Sequence, residues 1–379
     1  MIALYLLIIL ITFYGLSLMV DHFLIPAIYI VKERLHLSDD QAGTLISFVS
    51  SAPELSVAII SLSIAVRSGN MEVVSLAAGT VIGSALFSIL FIVGASAWYS
   101  KKVLSWHSVM RDMLFYVISV ALVYLFLFDG YVSMVESIIM LITYVIYTLI
   151  VSQWKKVALW LDKKSKKTTL EEEYTEEKAV LDLKEEQSLA DAVAIDIAPW
   201  SKSNFIAKLF AYLFFMPHKE LSWWKIIFNI LLSIIGVILF STLMVEYAVL
   251  LANTLAIPEA VVGLTILAAG TSIPDLLASV KTAKEGYGDT AIANAVGSNI
   301  FDILGNLGIT YLIGTLFTGT ALYVKNPNVE ASTILLFASS LALIALLFAQ
   351  KFKITKIASL FLMSCYIVYV AYEVWKVSV

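Results

Sequence analysis

Charge is scarce in this chain. Asp, Glu, Lys and Arg make up 14% of its 379 residues and hydrophobic side chains 60%, against about a quarter and about half in a soluble domain. With a mean hydropathy of +0.90, that balance excludes an ordinary soluble protein and points to a polytopic membrane protein. There is no basic excess either: the formal net charge is -4, so nothing in the composition suggests nucleic acid as a partner. Cysteine occurs once, as Cys365 in an apolar run. That rules out an intramolecular disulfide and any cysteine-rich metal site, and leaves a small apolar filler. The opening MIALYLLIILITFYGLSLMV lacks the basic start of a secretion signal and outruns its apolar core, so it reads as a retained spanning helix.

Long hydrophobic runs are what the chain has in abundance. Ten of them, near residues 2–31, 42–66, 72–98, 105–127, 132–152, 226–254, 259–281, 288–318, 331–349 and 354–375, reach the roughly 20 residues that a bilayer-crossing helix needs. They are apolar all round, not alternating, which excludes a transmembrane barrel. The expected fold is an all-α integral membrane protein of ten transmembrane helices.

One polar stretch, 153–224, separates a first membrane half, 1–152, from a second, 225–379. Its lysines share one side of a ten-helix topology with Lys32, Arg34, Lys101, Lys102, Arg111, Lys281, Lys284, Lys351, Lys353 and Lys356; only Arg67, Lys325 and Lys376 fall on the other. The positive-inside rule then places the loop in the cytoplasm and both termini outside, in a multi-pass protein of the cell membrane whose partner is the lipid bilayer. Acids in the loop, such as Glu171, Glu172 and Glu185, are mixed with lysine and show no calcium-loop spacing, so they read as a solvated helix or linker. The loop ends in SNFIAKLFAYLFFMPHKELSWW, apolar with aromatic and basic edges, which suits a segment lying along the membrane surface.

Polar residues inside the apolar runs carry the chemistry. ISFVSSAPELSVA at 46–58 and ILAAGTSIPDLLAS at 266–279 each place hydroxyls, a proline and a single acid in a hydrophobic segment. Laying the halves over each other pairs VSSAPEL with GTSIPDL, so Glu54 matches Asp275, Ser50 matches Thr271 and Ser51 matches Ser272. LSLMVDHF at 16–23 pairs with STLMVEYA at 241–248, matching Asp21 to Glu246. GTVIGSALFSILFIVG at 79–94 pairs with NAVGSNIFDILGNLG at 294–308, matching Ser84 to Ser298 and Ser88 to Asp302. Equivalent positions are five helices apart, an odd number, so two five-helix repeats would cross the membrane in opposite senses. That is the inverted repeat of secondary transporters, with the site near the midplane where the copies meet.

Proline removes a donor and crowds the preceding turn, so Pro53 and Pro274 are expected to loosen their helices and free backbone carbonyls. Irregular backbone and carboxylates at membrane depth are tolerated only where something satisfies them. Two acids among hydroxyls and carbonyls form an anionic oxygen cage that a cation would fill. The repeat cores hold no histidine or cysteine, which disfavours soft and borderline transition metals. Calcium takes six to eight such oxygens, sodium wants similar ones with less charge, and magnesium fits less well. Asp302 reads either as a further ligand or as a helix–helix hydrogen bond through a protonated carboxyl. Asp21 and Glu246 read as lying on the ion path or near a helix end, and His22 as an interfacial histidine or a proton relay beside Asp21. Gly79, Gly83, Gly94, Gly297, Gly305 and Gly308 permit close helix contact.

A proton/calcium exchanger is the nearest rival reading, since a buried acid pair carries protons as well as sodium. An intramembrane aspartyl protease would not need the prolines or inverted halves, and a passive channel would need a continuous polar stripe. The chain is expected to be no enzyme and to use no cofactor.

The motifs resemble the two alpha-repeats of the calcium/cation antiporter superfamily, and GTSIPD followed by GDTAIANAVGSNIFDILGNLG is similar to its sodium/calcium exchangers. The resemblance implies that Glu54 and Asp275 bind Ca2+ and Na+ alternately. It also implies that Ser51, Ser84, Thr271, Ser272 and Ser298 add hydroxyl or carbonyl oxygens, as do Ser50 and the carbonyls near Ser47 and Ala268. Inward sodium would drive calcium out of the cytoplasm, with the long first and sixth helices sliding to change access. Asp302 stands where many sodium/calcium exchangers have Asn, whereas the potassium-dependent branch has Asp there and in the second proline–acid motif, which implies K+ co-transport. The first repeat departs from the pattern: Ser88 replaces the usual Asn, Val49 the usual Gly, and Gly43 lies one residue closer to Pro53.

Overall fold

The computed structural model describes residues 1–35, 48–69, 72–100, 106–154, 221–284, 286 and 288–378. Gly43, Ser47, the acidic stretch of the loop and most of the apolar segment at its end lie outside the described residues.

Helix α1 (Ile2–Met19) continues through a π-turn, Val20–Leu24, into α2 (Ile25–Leu35). Pro26 follows that turn at once, so the helix widens and re-registers there; it does not break. Next come α3 (Ala52–Ser68) and α4 (Glu72–Leu86), the latter running through a second π-turn, Phe87–Ile92, into α5 (Val93–Tyr99). Helix α6 (Trp106–Leu127) leads to β1 (Tyr131–Val132) and α7 (Met134–Ser152).

Beyond the loop, α8 (Trp223–Leu255) is the longest helix described, at 33 residues. A short α9 (Glu259–Val262), a third π-turn at Gly263–Leu267 and α10 (Ala268–Thr271) precede α11 (Ile273–Lys284). Helix α12 (Gly288–Ile300) passes through a fourth π-turn, Phe301–Asn306, into α13 (Leu307–Thr318). Strand β2 (Leu322–Tyr323) pairs antiparallel with β1, Tyr131 opposite Tyr323. Helices α14 (Pro327–Ala349) and α15 (Lys356–Ser378) complete the chain.

Among the described residues, eight helices are long and apolar enough to cross a membrane, or nine counting the bent pair Glu259–Thr271 with Ile273–Lys284. This is a multi-pass membrane protein. The remaining expected span, 42–66, is represented by α3, 17 residues long, and the chain just before it lies partly outside the described residues.

The chain forms two compact units, Met1–Ser17 with Ser51–Ile146 and Ile238–Val379, and Leu18–Ser50 with Tyr147–Val237. The smaller unit packs Ala27, Ile30, Leu221 and Ile226 into one cluster, with Met19 closing against Gly236 and Arg34 over the Trp223 ring at 5.5 Å.

In the larger unit nearly every residue in the most apolar 18-residue stretch of Val73–Tyr99 is buried, so α4 is a central post. Glycine lets it touch α9 and the π-turn beyond at backbone distance. A Cβ on Gly79 would stand 2.8 Å from the Ala260 carbonyl oxygen, one on Gly263 would stand 2.7 Å from that of Leu76, and one on Gly83 would collide with that of Leu264. Such close approach is how membrane helices gain contact where no hydrophobic effect separates them from lipid.

A further internal correspondence appears here. Gly94 lies against Ser359, Leu362 and Met363 of α15, and Gly308 against Met140 and Leu141 of α7. Phe87 meets Tyr366 edge-on at 5.0 Å, and Phe301 meets Tyr144 edge-on at 5.0 Å. Residues 140–144 thus match 362–366 at a constant offset, and each matched helix braces the other half's π-turn.

Candidate functional site

Both proline–acid motifs sit at the start of a helix. Ser51 (φ −86°, ψ 11°) and Ser272 (φ −93°, ψ 1°) leave helical geometry, and α3 and α11 begin one residue later. At the second break the axis turns by 43°. The expected loosening at the prolines takes the form of a break one to two residues before each of them. Pro53 and Pro274 stand second in their helices, where a backbone N–H would have no intrahelical acceptor in any case. Leu55 N donates to Ser51 O and Leu276 N to Ser272 O, both at 3.0 Å, so each helix is hydrogen-bonded from its first turn.

Glu54 and Asp275 consequently fall in a first helical turn, where unpaired amides create a positive end. An ionised carboxylate at membrane depth costs about 2.5–3.5 kcal/mol on insertion scales. A helix N-terminus returns about 0.3–1 kcal/mol, up to ~2 in the best geometry. The helix end therefore offsets only part of the cost, and each acid still needs a counter-charge, a proton or further hydrogen bonds.

Partners come from the opposite half. The carboxyl of Glu54 is in hydrogen-bonding contact with Thr271, beside the second proline. That of Asp302 is in contact with Ser51, beside the first. Ser84 Oγ meets Ser272 Oγ at 2.7 Å. Glu54 lies within electrostatic range of both Asp302 and Asp275, and Asp302 within range of Asp275. Glu54 and Asp302 are each 2% exposed, whereas Asp275 is half-buried. Thr271 Oγ1 lies 3.4 Å from the Ala268 carbonyl, and Ser298 donates to Ala295 O, also at 3.4 Å. Ser88 and Asp302 occupy the same place in the π-turns Phe87–Ile92 and Phe301–Asn306; such turns shift register by one residue and re-aim a side chain.

Of the residues singled out in the sequence, Glu54, Asp275, Asp302, Ser51, Ser84, Thr271 and Ser272 are brought together. Ser88, Ser298 and Ala268 are buried on the same helices and π-turns. Ser50 is half-buried at the end of the smaller unit. Glu246 is exposed and outside this set, and the Asp21 side chain is outside the described ones. Among the described residues no three His, Cys, Asp or Glu side chains close on one point tightly enough to hold a metal ion.

The sequence reading missed Asn306, whose Nδ2 donates to Asp302 Oδ1 at 2.8 Å, although its i+4 spacing from Asp302 was a usable signal. It also missed Asn299 and Tyr116, which both reach the Ala85 carbonyl, at 3.4 and 3.5 Å.

A helical membrane protein with breaks, acids and hydroxyls matched between its two halves has the build of a secondary transporter. The family model for the sodium/calcium exchanger protein matches residues 5–153 and 225–375, and the chain belongs to that family, within the calcium/cation antiporters. Its members are transporters that exchange Ca2+ and other cations, not enzymes.

Among named relatives, human sodium/potassium/calcium exchanger 5 is 29% identical over 93% of this chain and 78% of its own length. Mouse sodium/potassium/calcium exchanger 4 is 24% identical over 96% and 79%. Two solved structures share the fold: the H+/Ca2+ exchanger CAX (TM-score 0.62, 12% identity, 99% of this chain and 88% of that one) and the sodium-calcium exchanger NCX_Mj (TM-score 0.53, 21% identity, 98% and 99%).

Proposed function

We propose that this protein is a secondary antiporter that exchanges Ca2+ for Na+, with K+ co-transported, by alternating access at one carboxylate site. Ten helices would form two inverted five-helix repeats, with the termini outside and the 153–224 loop in the cytoplasm. The observation that carries the reading is the crossing of partners: Thr271 to Glu54, Ser51 to Asp302 and Ser84 to Ser272. Each acid layer depends on a hydroxyl from the other half.

A bound cation would take its carboxylates from Glu54, Asp275 and Asp302 and complete its shell with oxygens of Ser51, Ser84, Thr271, Ser272 and Ser298 and nearby carbonyls. That suits ions that accept many flexible oxygens, Ca2+ and Na+, better than an octahedral Mg2+. Coupling follows from competition: calcium and sodium would seek the same Glu54 and Asp275 carboxyls, and neither acid can be left charged and bare at that depth. Access would therefore change only when the site is loaded. Asp302 supports K+ co-transport, as do the names of the relatives that match.

The test is calcium uptake into vesicles reconstituted with the full chain. Sodium loaded inside should drive uptake, and external potassium should raise it. Uptake driven by a proton gradient, with sodium inert, would replace this reading with proton/calcium exchange.

A further inference from the structure

Buried hydroxyls in these helices usually bond back to their own helix. Thr80 donates to Leu76 O, Thr265 to Val261 O and Thr333 to Val329 O, each one turn earlier. Four do not. Ser61, Ser96, Ser279 and Thr310 are at most 1% exposed, and their hydroxyl oxygens have no hydrogen-bond partner. A buried polar group without a partner is uncommon in a native structure and asks for a reason.

Their positions follow a pattern. Ser61 is seven residues beyond Glu54 on α3, and Thr310 is eight beyond Asp302 on α13, so both stand roughly 10–12 Å past the carboxyls along their helices. Leu62 lies against Gly314, which puts Ser61 and Thr310 within about one turn of the same helix contact. Asn306 stands between, its Nδ2 on Asp302 and its Oδ1 unpartnered.

In the other direction, Ser279 is four residues beyond Asp275 on α11, and Ser96 eight beyond Ser88 on α5. Lys284 of α11 covers the Tyr99 ring of α5 at 4.6 Å, which sets Ser279 and Ser96 at similar depth. Ser96 and Thr310 are equivalent positions under the offset that matches Ser84 to Ser298.

We infer that these hydroxyls form two cation relay sites, one on each side of the carboxyl layer, with Asn306, Thr310 and Ser61 on one and Ser279 and Ser96 on the other. Each would supply neutral oxygens to a partly dehydrated cation moving between the carboxyls and one membrane face. Neutral oxygens suit a relay, since a second carboxylate there would trap the ion. In the orientation proposed above, the first relay faces outward and the second the cytoplasm. The inference rests on the proposed function for its direction of flow and for which face is which, but not for the placing of the two relays on opposite sides of the carboxyls.

The test uses the full chain with Cys365→Ser in vesicles, carrying either Thr310→Cys or Ser96→Cys. A cationic, membrane-impermeant methanethiosulfonate is added to one face at a time, and its reaction is followed by intact mass. The Thr310→Cys protein should react from one face and the Ser96→Cys protein from the opposite face, each at least tenfold more slowly with calcium bound. Reaction of both from the same face, or of neither, overturns the inference. Labelling does not depend on which ion drives transport, so loss of sodium coupling would sink the functional reading and leave this one standing. If the cysteine variants fail to fold, Thr310→Ser should turn over at least tenfold faster than Thr310→Val at equal calcium binding in detergent; equal turnover overturns it.

Discussion

Residues 51–92 and 272–306 repeat one backbone: a serine out of helical geometry, a proline, an acid in the first turn, and further on a π-turn against an aromatic ring of a distant helix. Their chemistry differs. The first segment has Glu54 and, in its π-turn, Ser88; the second has Asp275 and, in its π-turn, Asp302 held by Asn306. Burial differs too, with Glu54 and Asp302 enclosed and Asp275 half-open. The scaffold is therefore matched between the halves, while the acids are divided one to two, and selectivity should reside in the mismatch.

The largest effect should follow from breaking what the segments share. Glu54→Ala or Asp275→Ala should each reduce exchange below about 1% of the parent rate, ~2.7 kcal/mol or more, while size exclusion shows an intact membrane protein. Substantial exchange in either variant would contradict a site drawn from both segments.

Gly83→Ala should come next, because the added methyl meets the Leu264 carbonyl, which cannot rotate away. Overpacking of this kind costs about 1–3 kcal/mol, read as a fall in the thermal midpoint in detergent. An unchanged midpoint would mean that α4 can slide against the Gly263–Leu267 turn.

Asp302→Asn makes the second π-turn less acidic and sharpens the comparison. It should abolish the stimulation of exchange by potassium while retaining sodium-driven uptake. The smallest effect belongs to the hydroxyl bridge. Ser84→Ala and Ser272→Ala should each weaken calcium binding a few-fold, and their double-mutant cycle should give a coupling of about 0.5–1.5 kcal/mol.

The matched segments were legible in the sequence because proline, acid and hydroxyl stand out against an apolar background, and they recur in order. The local geometry was less so. Pro53 and Pro274 read as kinks, and the chain does break beside them, but the break itself falls at Ser51 and Ser272 and makes each proline the second residue of its helix. The correspondence of 140–144 with 362–366 was hidden, since aliphatic and aromatic residues at helical spacing look alike in every lipid-facing helix. Its signature, Tyr144 and Tyr366 on matched phenylalanines, needed coordinates. The π-turns leave no composition signal, because they are set by what the widened turn packs against. Glu246, which matches Asp21 in sequence, is exposed.

Calcium binding to the purified protein, followed by isothermal titration, tests most directly whether acids from both segments hold one ion. The account predicts one calcium per chain, lost in Glu54→Gln and lost equally in Asp275→Asn. Two independent calcium sites, each removed only by its own substitution, would contradict it.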